Sequence, residues 1–202
     1  MADETPLPDA STRWLETSRG VIRYSELAPL LAERVLRVQQ GIEAEANADH
    51  ALDEDLQRAL HRDFCGDFVP QWAGRWRTIS VTVGTHEPPA PHLVPMELRN
   101  YMLDLQARLA ATPAVDDWPE HLAFAEGCLL SIHPFADFNG RVTRLWLWEL
   151  LRRLDLPPVE LSAAEPAAVQ AYLAALRAGD GRDYRPLAQI WRLRLAATAD
   201  PD

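Results

Sequence analysis

The chain contains no lysine: all twenty positive side chains among its 202 residues are arginine. That absence excludes Schiff-base chemistry, a P-loop lysine and the strand lysine of a protein kinase. A nucleotide bound here has to be held by arginine, backbone N–H groups and a metal. Only two cysteines are present, Cys65 and Cys128, too few for a disulfide framework or a thiolate zinc site; both are expected to be buried and reduced. No apolar run reaches the roughly eighteen residues that a bilayer span requires. The opening MADETPLPDASTRW lacks the basic and apolar regions of a signal peptide, so the expectation is a cytoplasmic protein that does not engage a membrane. The formal charge is −10 and the arginines are scattered, which argues against nucleic acid as partner and for a small anion or a protein. There are no internal repeats, low-complexity stretches or linkers, and the length suits one domain.

Apolar spacing predicts an all-α domain. Leu27, Leu30, Leu31, Val35, Val38 and Ile42 trace one face of a long helix from Ser25, read as its N-cap, to about Asn47. A second helix is expected from about Leu52 to Phe64, ended by Gly66. Further helices are expected at about Met96–Ala111, Pro119–Ile132, Gly140–Leu154, Ala164–Ala178 and Asp183–Ala197, with Ser162 and Glu165 as a capping box for the sixth. Residues 70–95 differ, being rich in Trp, Thr, Val, Gly and Pro. Thr78, Ile79, Ser80, Val81, Thr82 and Val83 alternate as in an extended segment, expected to be a short strand or hairpin before a proline-braced loop that carries the surface histidines His86 and His92. Trp146, Trp148 and Trp191 read as core or rim packing.

The most informative stretch is HPFADFNGRVTR, residues 133–144. A loop that ends in Asn139-Gly140 and opens a helix at Arg141 directs free N–H groups, the positive end of a helix dipole and a guanidinium at one point, where an anion belongs. His133, forced out of helix by Pro134, is placed to act as a general base. Asp137 is the loop's carboxylate and suits Mg²⁺, which takes one or two carboxylates and fills its other positions with phosphate oxygens and water. Arg141 and Arg144, three apart on the following helix, project from one face.

This string resembles the signature HPFx(D/E)GNGRxxR of Fic-domain proteins, matching at His133, Pro134, Phe135, Asp137, Asn139, Gly140, Arg141 and Arg144. A second stretch, LHRDFCGDFVPQWAGRWRT at 60–78, is similar to the family's helix, turn and WAGR-type segment before its flap. The resemblance covers about residues 50–155, the core of a single helical domain at 25–198 behind an N-terminal extension at 1–24. It implies a Fic-fold helical domain with a short β-hairpin flap that uses ATP with Mg²⁺ to transfer AMP to a Ser, Thr or Tyr hydroxyl of a target protein. His133 would deprotonate the hydroxyl, Asp137 carry Mg²⁺, and Phe138, Asn139, Gly140 and Arg141 line the α and β phosphates. Arg144 would reach the terminal phosphate, and residues 78–83 would pair with the target backbone. The family has Gly where Phe138 stands, which leaves three outcomes: the ring turns away and AMP transfer survives, another group such as phosphate is transferred, or a nucleotide- or protein-binding module remains. The inhibitory pattern (S/T)xxxE(G/N) has no clean copy. Glu43 is its better candidate and the Thr12–Glu16 spacing the other, and an antitoxin-like partner could supply the restraint instead.

Overall fold

The computed structural model describes residues 13–111 and 117–199. A hairpin of β1 (Trp14–Thr17) and β2 (Gly20–Arg23) leads into α1 (Tyr24–Glu43), followed by α2 (Glu54–Cys65), α3 (Val94–Ala110), α4 (Trp118–Ile132), α5 (Asn139–Arg153), α6 (Pro166–Asp180) and α7 (Arg185–Ala199). The strands are antiparallel, with Trp14 opposite Arg23 and Thr17 opposite Gly20. All seven expected helices form. Their expected serine caps do not.

Ser25 lies inside α1 and caps nothing, because β2 runs directly into the helix and the N–H of Tyr24 donates to Arg13 O across the ladder. The helix also stops at Glu43, short of Asn47. Ser162 caps nothing either: Glu165 is itself the N-cap of α6, and the Ser162 hydroxyl accepts from Arg144. Segment 78–83 forms no strand ladder and bends at Ile79. Its tip closes on one bridge, Val83 to His86, and among the described residues no neighbouring strand pairs with the rest. The two-stranded hairpin is instead at residues 14–23, with Leu15 buried in the core and the N–H of Ser18 donating to Phe68 O at 2.7 Å. Thr12, half of one inhibitory candidate, lies outside the described residues.

Helix α4 is the axle of the fold, packed against α3, α5, α6 and α7. Small residues let its neighbours approach: a Cβ on Gly127 would come within 2.9 Å of the Tyr184 ring. Glu126 is buried but fully used, accepting from Tyr172 Oη at 2.6 Å, Trp191 Nε1 at 2.8 Å and Arg194 at 3.0 Å, which pins α6 and α7 to it. Tyr101 Oη donates to Ala125 O and accepts from Trp146 Nε1, each at 3.0 Å, joining α3, α4 and α5. Trp146 and Trp191 are buried and Trp148 half-buried; Cys65 and Cys128 are both free thiols. The result is a rigid support for the α4–α5 connection, which is the HPFADFNG loop.

Candidate active site

His133 caps α4 in the left-handed region (φ 50°, ψ 61°), a C-cap conformation that ends the helix just before Pro134. Its Nδ1 lies 3.2 Å from Leu130 O. A carbonyl can only accept, so Nδ1 carries the proton and Nε2 keeps its lone pair. Burial pushes the imidazole pKa below its ordinary value, the charges of Arg77 and His86 lower it further, and the Leu130 carbonyl and Asp137 pull the other way. The side chain is therefore a neutral base at physiological pH.

The loop after it is held from inside. Asn139 Oδ1 accepts from Phe135 N–H and its Nδ2 donates to Phe135 O, both at 2.9 Å, a closed staple that keeps the Asn139 side chain in the loop and not on a ligand. Phe135 is buried and stacks on His61 with ring centroids 3.9 Å apart. His61 was missed by the sequence reading, although its spacing with Phe64 puts it on the buried face of α2. Gly74 N–H donates to its Nδ1 at 2.8 Å, so Nε2 carries the proton and faces Asp137 O at 3.4 Å. Burial lowers its pKa to about 4.

That shift gives an acid-stability prediction. The unfolded chain, with an imidazole near 6.5, takes up the proton first as pH falls, so the contribution of neutral His61 is intact above about pH 6.5 and is lost towards pH 4, in all about 3 kcal/mol. Urea unfolding at about pH 7 and about pH 4.5 is expected to show this drop, largely absent in His61→Gln. Equal pH dependence in the two proteins would contradict the assignment.

The structure shows where the Phe138 ring goes. Phe138 adopts the glycine-like left-handed conformation (φ 65°, ψ 13°) and its ring turns into the core, edge-on to Phe64 at 5.4 Å and against Trp72 at 5.6 Å. The ring leaves the start of α5 open. There, Phe138 O accepts from the N–H groups of Arg141 and Val142, while those of Asn139 and Gly140 have no acceptor among the described residues. A Cβ built on Gly140 meets nothing within 4 Å. The Arg141 guanidinium lies over the rings of Tyr24 (5.5 Å) and Phe138 (6.0 Å), with Nη1 buried and unpartnered. Arg144 donates to Ser162 Oγ at 3.2 Å, and both arginines line a cleft of about 330 Å³ with Val35, Leu36 and Trp148.

Asp137 has two tasks: Oδ1 accepts from Phe138 N–H at 2.7 Å, and Oδ2 is paired with Arg13, a contact that no local pattern announces. Among the described residues no cluster of three or more acidic, His or Cys side chains could cage a metal. Glu43 ends α1, accepts from Gln39 at 3.3 Å, and lines a neighbouring cleft with Trp148 and Arg152, whereas Arg144 is on Ser162. Thr78 to Val83 are linked to the loop through Arg77, which donates to both Ile79 O and His133 O, and Ile79 and Val83 are exposed.

Comparison with known proteins finds relatives of this chain by family and by fold. A family model described as the Fic/DOC family matches residues 51–151. The chain is 34% identical over 136 residues to the protein adenylyltransferase fic-1 of Caenorhabditis elegans, covering 66% of this chain and 25% of that protein. It is 27% identical over 173 residues to the protein adenylyltransferase Fic of Nematostella vectensis, covering 86% and 39%. It thus spans well under half the length of these curated relatives. Among solved structures, Fic-1 of C. elegans superposes with TM-score 0.64 at 25% identity, over 82% of this chain and 48% of that one. The BepC protein of Bartonella tribocorum, solved with bound AMPPNP, superposes with TM-score 0.70 over 91% and 92%, and at 17% identity shows the fold alone.

Proposed function

The chain belongs to the Fic/DOC family, and on that premise we propose that it transfers AMP from ATP to a Ser, Thr or Tyr hydroxyl of a target protein. The observation that carries this reading is the inward Phe138 ring, which leaves the N–H groups of Asn139 and Gly140 open to phosphate. In the proposed reaction His133 Nε2 takes the proton of the target hydroxyl, the freed oxygen bonds to the α-phosphorus, and the bond from that phosphorus to the bridging oxygen breaks, releasing pyrophosphate. Arg141 and the two N–H groups neutralise charge on the α and β phosphates. Arg144 leaves Ser162 to meet the terminal phosphate.

Mg²⁺ of the kind that takes one carboxylate and leaves the rest of its shell to phosphates and water would need only Asp137 from the chain. When bound it would neutralise phosphate charge; Asp137 would hold it once its Oδ2 parts from Arg13. The exposed, unladdered segment Thr78–Val83 would receive the target as an added strand. Two free thiols support a reducing, cytoplasmic setting. With Arg144 on a serine and not on an acid, restraint of the site falls to Glu43 after a shift or to an antitoxin-like partner.

Incubation with ATP labelled at the α or the γ phosphorus tests the reading. The α label is expected to become covalently attached to protein, and no γ label. Attachment of the γ label alone would make the protein a phosphotransferase, and binding without either label would make it a binding module.

A further inference from the structure

Arg77 is 3% exposed, yet among the described residues no carboxylate partners it. Its guanidinium donates only to carbonyls: Nε to His133 O (2.8 Å), Nη1 to Ile79 O (3.0 Å), and Nη2 to Pro89 O (2.6 Å) and Ile132 O (3.3 Å). Its backbone N–H donates to Pro134 O at 2.8 Å. Burying a cation with neutral acceptors alone is costly, and burial depresses the pKa of this guanidinium. Hydrophobic packing could fill the same volume, so the arrangement asks for a reason beyond stability.

The acceptors supply one. Ile132 and His133 carry carbonyls left unpaired at the end of α4, where the helix dipole favours a cation. Ile79 lies within the proposed target-binding segment and Pro89 in the loop that follows it. His86, paired with Val83 across the turn that follows that segment, places Nε2 2.8 Å from Ser131 O, so four successive carbonyls, 131 to 134, are all taken by residues 77 and 86. Asp180 Oδ1 lies 3.7 Å from the same His86 nitrogen that faces Ser131 Oγ at 3.3 Å, so these three form no relay; they fasten the tip.

We infer that Arg77 is a positioning residue that fixes the distance and register between the target-bearing segment and the base His133. The inference rests on the transfer reading above. A planar guanidinium can address carbonyls on both sides at once. A lysine ammonium, with three donors radiating from one atom, cannot span the same fan. A displacement of about 1 Å between hydroxyl and base lowers transfer by about 100-fold.

The test is Arg77→Lys, with melting temperature as fold control. Transfer of AMP to extended Ser-, Thr- or Tyr-containing peptides is expected to fall about 100-fold in kcat, with KM for MgATP changed less than about threefold. Thermolysin is expected to cut the variant, and not the parent, between Ile79 and Val83. Wild-type kcat and an intact segment in a folded Arg77→Lys would overturn the inference. A parent that transfers nothing would sink the transfer reading, and the cleavage readout would still decide the clamp. Should the variant not fold, the parent decides it by NMR: a solvent-protected Arg77 Nε–H signal is expected, and its absence overturns the clamp.

Discussion

Replacing His133 by alanine is expected to lower AMP transfer by about 10²–10⁴-fold while MgATP still binds. The imidazole has one nitrogen committed to Leu130 O and the other free, and burial keeps it neutral, so its removal takes away the proton acceptor and none of the phosphate donors. The acid limb of the kcat/KM profile is expected below the ordinary histidine value of about 6.5, because activity needs the neutral ring and its pKa is lowered. Label transfer and calorimetry on the same preparations separate the two effects. Loss of nucleotide binding in parallel with transfer would show that His133 holds the ligand and does not act as base.

The second large effect concerns Phe138→Gly, the change that would recreate the family motif. It is expected to destabilise the protein by about 2–3 kcal/mol and to leave transfer no higher. Removing a buried aromatic costs about 3–5 kcal/mol, and relief of the left-handed backbone offsets about 1–2 kcal/mol of that. The Phe138 ring is 6% exposed and closes the gap between Phe64 and Trp72. Urea unfolding gives the first quantity and α-label transfer the second. A glycine variant as stable as the parent and more active would mean that Phe138 obstructs the site.

What the sequence disclosed follows from what is local. Helical stripes are local, and all seven helices form where the periodicity placed them. The motif from His133 to Arg144 is contiguous, so its loop and helix start were legible together. Features that depend on distant partners were not. Ser25 and Ser162 look like caps, but their places are set by the β1–β2 ladder and by Arg144. Segment 78–83 has strand-like alternation without a partner strand among the described residues, so the pattern yielded no ladder. The direction of the Phe138 ring depends on Phe64 and Trp72, far away in sequence and both available to receive it. His61 and Arg77 act through carbonyls and amides of other segments, contacts that leave no residue pattern behind.

The most direct test is a crystal structure with Mg²⁺ and a non-hydrolysable ATP analogue. The α-phosphorus is expected to face His133 Nε2, with the phosphates on the N–H groups of Asn139 and Gly140 and the Phe138 ring still between Phe64 and Trp72. A γ-phosphorus facing His133, or a Phe138 ring swung over the start of α5 with no phosphate there, would contradict AMP transfer at this site.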